Sequence, residues 1–197
     1  MLRSLSPLAI GGCAFGTAYA AQRLIAPYAG LSLTLFTGVL AATLVGFAIG
    51  CALGAGPRDP ARGSWLTARG LFLAAAATLI VARLGRPLLA ALWGADLRVT
   101  VGIAAAAFAG LPSMGLGFAF AAGQGEGSAA AALRRAAWLL AGAAIAAPVL
   151  GFALVPRLGL TVTFAVLAAV EAMLAFVSGA RRAPALTTPP AGPARRG

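Results

Sequence analysis

Glu171 is the one acidic residue of this chain set well inside an apolar run, between Val170 and Ala172. A charged carboxyl at such a depth costs about 2.5–3.5 kcal/mol on insertion scales and usually faces a cavity or a partner. It is therefore the candidate intramembrane polar site, suited to a cation, a proton or an amine. The alternative is a neutral carboxyl satisfied by polar neighbours or water. Arg134, Arg135 and Arg157 stand near the ends of apolar runs, and sequence does not set them against it.

Little else can do chemistry. The chain has no histidine, so no Ser-His-Asp or Cys-His arrangement can be drawn. Four acids and two cysteines leave no set for zinc or di-iron. No catalytic, cofactor-binding or metal residue is expected. Cys13 and Cys51 sit in apolar runs and read as small buried hydrophobes. Asp59 with Arg58 and Arg62 can form a charge latch, or simply a solvated loop. Gly123 to Gly127, GQGEG, has the look of a phosphate loop but lacks its lysine and preceding strand, so it reads as a turn.

The elements that must position Glu171 are membrane helices. Of 197 residues 61% are hydrophobic and only 10% charged, against about 25% charged in a soluble domain. The mean hydropathy is +0.95. The net charge of +11 does not signal nucleic acid, because the arginines stand singly or in pairs at the ends of apolar runs. The absence of lysine fits the bias of a GC-rich bacterial genome.

Within one run Gly38, Ala42, Gly46, Gly50 and Gly54 recur every four residues. In water each glycine would weaken a helix by about 1 kcal/mol relative to alanine. In a bilayer the backbone has no water to bond with, and the helix persists. Small residues one turn apart then form a groove for helix packing.

Six apolar runs, at about 5–22, 31–55, 64–82, 99–122, 136–155 and 160–178, predict an all-α membrane bundle over residues 1–178. A disordered Pro/Arg-rich tail is expected over 179–197. A kink or break of the helix is expected near Pro112, and Pro148 marks a second. Residues 83–98 are expected to form a long connection. The first run also has the form of a secretory signal ending at Ala18-Tyr19-Ala20, although Gly12 and Gly16 are spaced as in a retained helix. With six crossings, the two termini and the second–third and fourth–fifth loops share one side. That side holds Arg3, Arg58, Arg62, Arg69, Arg134, Arg135, Arg181, Arg182, Arg195 and Arg196; the other holds Arg23, Arg83, Arg86, Arg98 and Arg157. The excess predicts cytoplasmic termini in a bacterial inner membrane.

Arg23-Leu24-Ile25-Ala26-Pro27-Tyr28-Ala29-Gly30, then Gly46, Gly50 and Gly54, then Gly142, Gly151-Phe152, Pro156 and Gly159, follow one another in an order with a known counterpart. The chain resembles, over about residues 5–178, the membrane domain of bacterial spermidine synthase-like proteins. It departs from that pattern at Ala18, where a glutamate is usual, at Phe36, where tryptophan is frequent, and in the loop Gly56-Pro57-Arg58-Asp59-Pro60. A proline usual late in the fourth helix is missing, and so is any catalytic aminopropyltransferase-like domain. The resemblance implies a non-catalytic membrane protein that anchors or assists a separate cytoplasmic aminopropyltransferase-like enzyme. The alternative is a small transporter or half-transporter for cationic amines or another small solute, acting alone or as a homo-oligomer. Half a major-facilitator transporter, with six helices, is the analogous fold.

Overall fold

A computed structural model describes residues 2–56, 60–92, 94, 96–124 and 128–180. Every element among them is helical: α1 (Leu2–Ala29), α2 (Leu33–Gly54), α3 (Pro60–Ala91), α4 (Leu97–Ala105), α5 (Leu111–Ala122), α6 (Ala129–Pro148) and α7 (Val155–Ala180). A π-helical stretch, Ala106–Gly110, joins α4 to α5; a second, Val149–Leu154, joins α6 to α7. Polar side chains start several of these helices. Ser32 accepts a hydrogen bond from the Leu35 amide, Asp96 accepts from the Arg98 and Val99 amides, and Ser128 accepts from the Ala131 amide. Each satisfies donors that a helix start leaves unpaired.

Among the described residues four stretches are long and apolar enough to cross a membrane: Leu33–Gly54, Gly63–Ala91, Leu97–Ala122 and Ala129–Ala180. That is fewer than the six runs read from sequence. The helix α1 is diluted by Gly11, Gly12, Gly16, Thr17, Tyr19 and Gln22. The fifth and sixth runs fall within the single stretch Ala129–Ala180.

That stretch is not straight. Gly159 breaks α7 with φ 75° and ψ 170°, a backbone shape reserved for glycine. Leu150 and Leu167 lie on either side of it, and both side chains press on Gly16 of α1. A continuous helix would hold residues 17 apart at a distance of ~25 Å. The chain therefore folds back at Gly159, so α6 lies along α1 while the rest of α7 lies along α3.

The contact registers also fix direction. Leu8 meets Gly142, and Gly16 meets Leu150, so α1 and α6 run parallel. Gly46 meets Gly110, and Gly54 meets Phe118, so α2 runs parallel to α5. Gly70 meets Ala119 while Ala74 meets Gly115, so α3 and α5 are antiparallel. Thr78 meets Glu171 and Ala68 meets Gly179, so α3 and α7 are antiparallel as well. Successive rods thus alternate in direction along the chain.

One sequence expectation needs correction, and two take a specific form. The connection expected over 83–98 is mostly helix, because α3 continues through Pro87 to Ala91. The kink or break expected at Pro112 and at Pro148 takes the form of a π-helical stretch beside each proline. At Pro112 the preceding turn widens: the Leu111 amide bonds to the Ala106 carbonyl, five residues back, and the torsions stay right-handed helical. At Pro148 the same widening follows the proline, with the Val155 amide bonded to the Leu150 carbonyl. A π turn accommodates irregularity in the hydrogen-bond ladder without ending the helix. The Arg23–Ala29 motif is likewise helical, and α1 ends only at Gly30, where φ is 71°.

Candidate functional site

The glycine ladder of α2 sets how closely the rods approach. Gly46, Gly50 and Gly54 are buried, and a Cβ at any of them would run into α5 backbone at Gly110, Met114 or Phe118. Gly38 lies against the Val101 side chain, and Ala42 presents its carbonyl to Gly110. In return Gly117 of α5 lies on the Phe47 carbonyl. A second backbone-on-backbone contact joins α1 to α6, with Gly11 against Leu139 and Gly142 against Leu8. Helices this close leave little room between them.

Inside this frame most of the buried threonines obey one rule. Thr17, Thr43, Thr67 and Thr163 return their hydroxyls to carbonyls of their own helix, which removes a donor from apolar surroundings at little cost. Thr78, fully buried on α3, instead donates across to Glu171 Oε2 on α7 at 3.0 Å.

Glu171 is 0% exposed. One turn to either side, Leu167 and Ala175 belong to an apolar cluster with Ile10, Cys13, Leu71, Ala74 and Leu116. The carboxyl therefore sits at the junction of α1, α3, α5 and α7. Its second oxygen, Oε1, has no hydrogen-bond partner. The hydroxyl of Ser113 on α5 is also buried without a partner. By the antiparallel register of α3 and α5, Gly115 with Ala74 and Ala119 with Gly70, it lies within about 3 Å along the axis of the level of Thr78. A buried oxygen left unpaired costs about 1–3 kcal/mol, so two at one level need a reason. They offer acceptor capacity at the bundle centre for a proton, a water or a cationic nitrogen.

The other sequence-marked residues do not join this centre. Pro27 lies in the last turn of α1, which ends at Gly30, and Pro156 lies in the turn before the fold-back at Gly159. Arg23 and Gly151 do come together: both line a groove on the bundle surface with Tyr19, Ala147, Pro148 and Phe152. Arg69 lies 3.3 Å from the centre of the Trp65 ring, a cation–π contact near the start of α3. Cys13 and Cys51 are free thiols. Arg58 and Asp59 lie outside the described residues, as do Gly125 to Gly127, the Arg62 side chain and residues 181–197.

Sequence reasoning marked Glu171 but missed Thr78 and Ser113. The available signal was a hydroxyl inside each apolar run. It is weak, because most such hydroxyls here bond to their own helix. Comparison with protein families, with curated proteins and with solved structures finds no match to this chain.

Proposed function

We propose that the chain is a six-crossing, non-catalytic protein of the bacterial inner membrane with cytoplasmic termini, and that it moves a small cation, a proton or an amine, by way of Glu171. The two added crossings are α1 and the split of Ala129–Ala180 at Gly159. As one rod that stretch would be ~78 Å long, more than twice the ~30 Å hydrocarbon core. The observation that carries the function is the fully buried Glu171 with an unpartnered oxygen where four helices meet. Ionisable groups in that setting mark ion and proton pathways.

Reconstitution into liposomes tests it. Labelled amine uptake and internal pH are followed in wild type and Glu171→Gln. Flux is expected in wild type and a loss of at least tenfold in the variant, with equal membrane insertion. Absence of flux from wild type for every cation tried would end the transport reading.

A second reading, an anchor for a cytoplasmic aminopropyltransferase-like enzyme, is supported by the sequence resemblance and by the meeting of two of its residues, Arg23 and Gly151, in one groove. Purification from native membranes in mild detergent, with mass spectrometry of the copurifying proteins, tests it. A stoichiometric soluble synthase-like enzyme supports the anchor, and recovery of the chain alone or as a homo-oligomer counts against it.

A further inference from the structure

The surface groove between α1 and the π-helical stretch after α6 has a defined volume, about 410 Å³, and an uneven lining. Ala147, Pro148, Gly151 and Phe152 form one wall, and Phe152 is 83% exposed. Tyr19 and Arg23 form the other. Gly151 lies where a side-chain carbon would stand 3.5 Å from the Tyr19 hydroxyl, so the phenol faces it directly across the groove.

Arg23 is held in place rather than waving. Its Nε donates to the Tyr19 hydroxyl at 3.2 Å, and its guanidinium carbon lies 5.3 Å from the Tyr19 ring centre. Phe15 stacks on the far side of the ring system with centroids 6.5 Å apart. The charge itself has no acid partner among the described residues. Asp96 caps α4, and Glu171 is enclosed at the bundle centre. The terminal guanidinium nitrogens are therefore available to an anion from outside the chain.

Depth narrows the choice of anion. Arg23 precedes the end of α1 at Gly30 by ~10 Å of helix, and Gly151 precedes the fold-back at Gly159 by ~12 Å. Since α1 and α6 run parallel, both turns lie at one end of the bundle and the groove opens at one level below them. That level suits the boundary between headgroups and acyl chains, where long arginine stems reach outward. A free inorganic anion would gain the arginine alone and leave an apolar wall uncovered. A phospholipid satisfies both.

We propose that this groove binds one phospholipid: the Arg23 guanidinium holds the headgroup phosphate, and the wall from Ala147 to Phe152 takes the upper part of an acyl chain. The inference needs only that the chain lies in a membrane, and it stands whether the protein is a transporter or an anchor.

Native mass spectrometry of the full chain in mild detergent, titrated with phosphatidylglycerol, tests it. Wild type is expected to hold one lipid preferentially. Arg23→Gln is expected to weaken that adduct by about tenfold, as loss of a charge-assisted contact would, and Arg23→Lys to restore part of it. Gly151→Leu, which fills the groove while leaving the charge, is expected to weaken it too. Arg157→Gln, an exposed arginine at the same end, is expected to bind as wild type does. Equal retention in wild type and Arg23→Gln would overturn the proposal. So would equal loss in Arg157→Gln, which would mean bulk charge attraction, or displacement of the lipid by millimolar inorganic phosphate, which would mean a free-anion site. Thermal melts identify any variant that fails to fold, and the Arg23→Gln and Arg23→Lys pair still decides the question if Gly151→Leu does.

Discussion

At the scale of single residues, the contrast between Thr78 and the threonines bonded to their own helix is the sharpest feature. A hydroxyl returned to its own helix is locally satisfied and says nothing about its neighbours. A hydroxyl sent to another helix ties two elements together and polarises the group it reaches. Ser113 does neither, and its unpaired Oγ makes a prediction. If its role is only structural, Ser113→Ala should leave the melting temperature unchanged or raise it, because removing a buried unpaired polar group is neutral or favourable. If instead Ser113 helps to hold a proton or cation beside Glu171, the same variant should keep its stability while flux in liposomes falls. Measuring both quantities on one preparation separates the two roles. Glu171 was legible in the sequence because an acid among apolar residues contradicts its surroundings. Its partners were not, because the pairing spans 93 residues and depends on which helices become neighbours.

At the scale of elements, glycines with different surroundings predict opposite effects from like substitutions. Gly142 has the Leu8 backbone against it, and Gly46 has the Gly110 backbone. Backbone cannot swing aside as a flexible side chain can. Gly46→Val and Gly142→Val should each destabilise by ~1–3 kcal/mol or more through forced separation of the rods. Gly102, in α4, has nothing near the position of a Cβ. Gly102→Ala should therefore stabilise slightly, by up to ~1 kcal/mol, through reduced freedom of the unfolded chain. Thermal melts in detergent rank the three variants, and a loss in Gly102→Ala equal to the others would discredit the packing account. The four-residue spacing of the ladder was visible in the sequence; its partner was not, since spacing shows a groove without showing what fills it. The prolines were legible to a similar degree. Proline's missing donor is a local fact, but whether a helix breaks or widens depends on the helices packed against it. At Pro112 α5 is confined between α2 and α3, and the chain took up the defect as a π turn.

At the scale of the whole molecule, the rods pair in a pattern that survives exchange of the two halves. Number the rods 1 to 6 as α1, α2, α3, α4 with α5, α6, and α7 beyond Gly159. The leading contacts are then 1 with 5, 2 with 4, 3 with 6 and 3 with 4, followed by 1 with 4 and 1 with 6. Replacing 1, 2, 3 by 4, 5, 6 and the reverse turns this set into itself. Because each half has three rods, the halves point in opposite directions. The match is incomplete, as α1 also touches α2 and the corresponding contact between rods 4 and 5 is much weaker. Each half covers surfaces on the other, so the link at 123–128 is not what holds them together. Two polypeptides divided in that link and coexpressed should copurify from membranes at one to one. Recovery of either fragment without the other would show that connectivity, not pairing, assembles the bundle.

The exchange of halves also bears on ancestry. Two copies of one three-helix gene, joined end to end and inserted in opposite senses, would build this set of pairings with no new interface. In such a lineage the halves are free to drift apart wherever exchange is not enforced by backbone contact. The glycines at Gly11, Gly46, Gly117 and Gly142, one on each of the first, second, fourth and fifth rods, are where the shared origin would be erased last.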